Sequence, residues 1–154
     1  GQLPRSLTPP PEVGVRRKEK GCGTIDGFLR DRKGERLRLP GTALTEVIMV
    51  LRRQPGAAMT HRAIAASVLG QGIDLETMSE EDHVRAAELS ETSRAHPGPP
   101  VKAGGPPSTL SLSDGSIIAV SERLGANVLT GDQHWADLSN AGHLRVKAIL
   151  FPRS

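Results

Sequence analysis

Three carboxylates in this chain occupy positions where a charge needs a reason. Glu46 is the only charge in the centre of an apolar helical pattern formed by Leu44, Val47, Ile48 and Leu51. If buried there it must be protonated, paired with a cation or bound to a metal, because an isolated buried carboxylate is costly. Asp114 opens a second helical pattern, and Asp132 closes the short apolar run Val128, Leu129. That run reads as a strand buried in a parallel sheet, and ligands of open α/β sheets bind where such strands end. Acids drawn from distant positions to one sheet edge suit phosphodiester chemistry. Hydrolysis there needs an activated water and neutralised charge on the phosphate, and one or two divalent ions held by clustered carboxylates supply both. Mg2+ and Mn2+ prefer oxygen ligands. The plainer alternatives are a Glu46 that is half exposed or paired with an arginine, and acids incidental to a small structural α/β protein.

The elements that must position these residues follow from spacing and punctuation. Ser113 and Asp114 are good N-cap residues, and Ile117, Val120, Ser121 and Leu124 continue at helical spacing. Gly125 then stands where a helix ends on a left-handed residue. Upstream, Pro40 and Gly41 form a break and Thr42 is placed to cap the helix of Glu46. Met49 and Val50 widen the apolar surface of that helix almost all round, which predicts deep burial. Residues 59–70 read as an Ala-rich helix capped by Thr60, with His61 on its surface. Residues 73–78 alternate as a strand does. Ser79, Glu80, Glu81 and Asp82 put a cap and three acids at the start of a helix running to about Arg94, its charges forming a solvated face. Residues 143–151 read as a last strand.

Composition narrows the classes. The chain has 154 residues, enough for one domain with a core, but only 2% aromatic residues. Core packing must rest on Leu, Val, Ile and Ala, and nucleic-acid binding on stacked aromatic platforms is disfavoured. A formal net charge of +3 suits contact with a phosphate backbone and equally a soluble protein with a basic tail. One cysteine, Cys22, excludes an internal disulfide and a multi-cysteine zinc site. No apolar run is long enough to span a membrane and no signal-peptide core is visible, so a cytoplasmic location is the default expectation. There is no Gly-rich phosphate loop, no His-x-x-x-His pair and no Gly-x-Ser-x-Gly elbow.

The run from Ser113 to Asp132 resembles the C-terminal half of a PIN-domain nuclease of the VapC toxin type. The carrying residues are Ser113–Asp114 before the helix, then Leu124, Gly125, Val128, Leu129, Thr130 and Asp132. Thr45–Glu46–Val47 is similar to the glutamate helix of the same family. The resemblance implies an α/β fold: a three-layer α/β/α arrangement with a short parallel sheet. It further implies an endoribonuclease dependent on Mg2+ or Mn2+, with Glu46, Asp114 and Asp132 as catalytic metal ligands. Thr130, His134 and Ser113 become candidate substrate contacts. RNA as substrate, a cognate antitoxin and a homodimer are the implied partners. Trp135 is expected to pack at a helix start, and Asp137 is a candidate outer acid.

Two stretches depart from that family. Residues 1–39 are expected to be a basic, Pro-rich, poorly ordered segment ahead of a domain at 40–154. Pro9, Pro10 and Pro11 run together there, and half of all Lys and Arg precede residue 40. Residues 24–31, TIDGFLRD, read as a helix start interrupted by Gly27. The family's first aspartate ends a central strand, but its place falls on Gly21, and Asp26 is the nearest acid. A remnant that binds antitoxin or RNA without cutting is therefore the alternative. The second departure is the loop at 96–109, with five Pro and three Gly, where the family has a short connection. It is expected as a mobile lid or a degraded segment, carrying Lys102.

Overall fold

A computed structural model describes residues 27–30 and 37–150. Within them the order is β1 (Gly27–Arg30), β2 (Leu37–Pro40), α1 (Gly41–Arg52), α2 (His61–Leu69), β3 (Ile73–Glu76), α3 (Glu80–Ala95), α4 (Leu112–Leu124), β4 (Val128–Thr130), α5 (Gln133–Asn140) and β5 (Ala148–Leu150). The strands form one sheet, in the order β3-β2-β1-β4-β5, within an α/β/α arrangement of layers.

Strand direction decides what the sheet presents at its edges. β2 is parallel to β3, and β4 to β5, while β1 is antiparallel to both β2 and β4. Four strands therefore run one way and the central one runs against them. Chain length forces this reversal. Only six residues separate Arg30 from Leu37, and a parallel crossover needs about a dozen. Residues 27–30 thus form a strand where the sequence read as a helix start; β1 lies ahead of the expected boundary at residue 40, and β2 runs up to and across it. Gly21, Asp26, Cys22 and the basic cluster lie outside the described residues.

α4 is the helix the rest is built around. Every residue from Ser113 to Ser121 is buried. It packs against α3, α1, β1 and β2. Gly115 allows the close approach of α3, since a Cβ there would stand 3.1 Å from the Ala86 carbonyl oxygen. Buried hydroxyls on α4 turn back onto its own backbone: Ser116 Oγ donates to Leu112 O at 2.9 Å and Ser121 Oγ to Ile118 O at 2.7 Å. Gly125 ends the helix in the left-handed conformation, φ 66° and ψ 32°, as its position predicted.

The other helices correct several expectations. α1 buries Ala43 and Val47 while Met49 is 51% exposed, so one face is covered rather than nearly all of it. Pro40 is its N-cap and no side chain caps it, so Thr42 has no capping role. α2 keeps its expected cap, with Ala63 N donating to Thr60 Oγ1 at 3.1 Å. The charges of α3 are not simply a solvated face. Asp82 is buried, completes a capping box with Ser79, and accepts from Arg123 Nε at 2.9 Å. Arg85 grips Glu122 through Nε at 2.6 Å and Nη2 at 3.1 Å. These two pairs tie α3 to α4 across their shared face. The last strand is confined to Ala148–Leu150, and His143, ahead of it, stacks on His96. Trp135 is wholly buried, the largest side chain in a core that, among the described residues, is otherwise made of Leu, Ile, Val and Ala.

Candidate functional site

β2 and β4 run in the same direction, so both end at one edge of the sheet. α1 leaves that edge directly from Pro40 and carries Glu46. β4 delivers Thr130 to the same edge, with Asp132 two residues beyond. The structure joins the first of these to α4. Ser113 Oγ donates to Glu46 Oε1 at 2.5 Å and also lies 3.4 Å from Thr42 O. Glu46 therefore reaches the first turn of α4, one residue from Asp114.

Asp114 is not the N-cap. Ser111 is, and Asp114 occupies the third helical position of a capping box. Ser111 N donates to Asp114 Oδ2 at 3.0 Å, and Asp114 N donates to Ser111 Oγ at 3.1 Å. The helix starts two residues earlier than expected because Ser111 can make this reciprocal pair and Ser113 cannot. Asp114 is buried all the same, 3% exposed, in the positive field of the helix start. Asp132 is the N-cap of α5, and its Oδ1 accepts from His134 N at 2.9 Å. Thr130 Oγ1 accepts from Asp132 N at 3.0 Å, which fixes the turn between β4 and α5.

The residues expected to contact substrate are all enclosed. Thr130, His134 and Ser113 are buried, and each is hydrogen-bonded within the protein. His134 is not a solvated side chain: its Nε2 lies 2.9 Å from the buried hydroxyl of Ser93. Burial lowers its pKa below the ordinary value near 6.5, against the opposing pull of Asp132 and Asp137. Asp137 is exposed and accepts from Gln133 Nε2 at 2.9 Å. The Pro/Gly-rich loop is pinned at its base by a two-bond bridge. Gly98 N donates to Ser108 O at 2.8 Å, and Ser108 N to Gly98 O at 3.0 Å. Lys102 stands exposed within it.

A PIN-domain family profile matches residues 14–141. The chain belongs to the PIN-domain family. PIN domains are nuclease-like proteins and generally use divalent metals. The comparison with curated proteins and that with solved structures gave no match. The donor chemistry of this PIN domain suits such an ion, since its acids offer carboxylate oxygen at a strand-end edge. Among the described residues the arrangement does not complete a cage. Among the described residues, no group of three or more His, Cys, Asp or Glu side chains is placed to hold a metal. Glu46 meets the start of α4, while Asp132 is held to the start of α5. β1 brings no acid to this edge by its C-terminal end: Gly27 pairs with Thr130 there, and Arg30 pairs with Leu37 at the opposite edge. No helix among the described residues is long and apolar enough to cross a membrane.

Ser93 was not legible as a site-related residue. It lies in a polar helix, 41 positions from His134 and 17 from Leu110, and touches both only through the fold.

Proposed function

We propose that this PIN domain is a divalent-metal-dependent endoribonuclease, the toxin of a toxin–antitoxin pair. Glu46, Asp114 and Asp132 are its metal-binding acids, Mg2+ or Mn2+ its ion, RNA its substrate, and a homodimer its assembly. The observation that carries the reading is the Ser113–Glu46 hydrogen bond, which ties an acid of α1 to the turn of α4 that also carries Asp114. Carboxylates brought near one another repel, so an ion is what would draw the three acids together. Ser113 and His134 serve in this reading by orienting acids, not by touching RNA.

A second reading rests on a specific observation. The central strand is reversed, and no three-acid group forms among the described residues. Both suit a PIN remnant that binds antitoxin or RNA without cutting. Cleavage of RNA with and without Mn2+, comparing wild type with Asp132→Ala and Glu46→Gln, separates the two. The nuclease reading expects Mn2+-dependent cutting that falls about a hundredfold or more in either variant, as loss of a few kcal/mol of charge stabilisation dictates. No cutting by wild type, with RNA or antitoxin still bound, sinks it in favour of the remnant.

A further inference from the structure

One hydroxyl on α3 links the two helix starts that carry the aspartates. Ser93 is wholly buried. Its Oγ accepts from Leu110 N at 2.8 Å, immediately before the Ser111 cap that Asp114 completes. The same oxygen lies 2.9 Å from His134 Nε2. His134 in turn donates its backbone N–H to Asp132 Oδ1 at 2.9 Å. With the Leu110 N–H already pointing at it, the hydroxyl proton is best satisfied by donation to Nε2. Such donation corresponds to the tautomer of His134 with its proton on Nδ1. The other side of the ring rests against Gly98, where a Cβ would stand 3.0 Å from both Cγ and Nδ1. The base of the long loop is closed by the bridge to Ser108, so this seat is fixed.

We propose that Ser93 and His134 are positioning residues: a buried strut between α3, α4 and α5 that holds Asp114 and Asp132 at a set separation, with Gly98 seating the ring. The strut explains why a polar serine is wholly buried in α3 and why glycine stands at the foot of the loop. It rests on the reading of these aspartates as site acids, so the test carries one readout that needs no metal.

The variants are Ser93→Ala, Ser93→Thr and Gly98→Ala, the last placed in the loop so that the core helices stay intact. Imidazole 15N shifts are expected to report the Nδ1–H tautomer of His134 in wild type and in Ser93→Thr. Ser93→Ala and Gly98→Ala are expected to lose it. Hydrogen exchange is expected to rise about tenfold at Leu110, Asp114 and His134 together in Ser93→Ala, with Ser93→Thr near wild type. Mn2+ affinity is expected to fall about tenfold in Ser93→Ala and in Gly98→Ala, the usual scale for groups that orient metal-binding side chains. Faster exchange at Leu110 alone, with Asp114 and His134 unchanged, overturns the strut. A wild type that takes up no Mn2+ overturns the nuclease reading instead, and the exchange pattern still decides the strut.

Discussion

Glu46 illustrates how a single residue changes meaning between sequence and fold. Its place in an apolar helix requires a partner, and one partner the structure supplies is the Ser113 hydroxyl. A pair linked in this way is energetically coupled. A thermal-unfolding double-mutant cycle with Glu46→Gln and Ser113→Ala is expected to give an interaction of about 1 kcal/mol, and additive effects would show the contact to be idle. His134 gives a second residue-scale prediction. Burial lowers its pKa, so the unfolded chain binds the proton more readily than the folded one. Stability from this group is fully present above the ordinary value near 6.5 and is lost as pH falls below it. Melting temperature measured between pH 7.5 and pH 5, as conditions, is expected to decline on the acid side, and His134→Gln to flatten that part of the decline. An unchanged profile in the variant would assign the acid sensitivity to other groups.

At the level of elements, the α3–α4 contact is held by charge as well as by packing. Glu122 exposes only 4% of its side chain and Arg85 17%, so this pair is largely removed from water. The Glu122 bond is the main cause raising the Arg85 pKa. Arg85→Met leaves the Glu122 carboxylate with the Arg145 N–H but without its cation, and is expected to cost about 3 kcal/mol in denaturant unfolding. Arg38→Met, whose partner Glu76 sits in a more open pair, is expected to cost under about 1 kcal/mol. Adding Glu122→Leu to Arg85→Met should recover most of the loss, because the buried charge without its cation is then gone. Equal costs for Arg85→Met and Arg38→Met would refute the distinction. At the end of α4, Gly125→Ala places a Cβ at φ 66° and is expected to cost roughly 1 kcal/mol by the same measurement.

For the whole molecule, the nuclease reading turns on whether an ion gathers what the fold brings near. An ion that binds only the folded chain stabilises it by mass action, about 2.7 kcal/mol at a hundred times its dissociation constant. Titrating Mn2+ or Mg2+ is therefore expected to raise the melting temperature of wild type. Asp132→Asn is expected to blunt that rise while leaving the metal-free melt close to wild type. A melt indifferent to either ion would favour the remnant. The basic balance of the chain adds a second whole-molecule expectation. RNA binding, measured without Mn2+ so that nothing is cut, should weaken steeply with added salt, because phosphate contacts release counterions.

Local chemistry made part of this protein legible in advance. The Thr60 and Ser79 caps, the left-handed Gly125, the short strand before Asp132 and the burial of Trp135 follow from backbone preference and apolar spacing, which act within a few residues. The α/β class and the PIN family were legible from the same stretch. Contacts between distant residues were not. No spacing rule reveals that Ser93 meets His134, that Arg85 seals Glu122, or that Glu46 ends on Ser113. The direction of β1 was decided by pairing with β2 and β4, which overrode a weak local helical signal. The sequence by itself determined the family and which turns begin and end several of its elements, since those patterns depend on near neighbours. Only the tertiary structure decided which partners the acids meet and which polar groups are enclosed, since burial and pairing depend on residues tens of positions away.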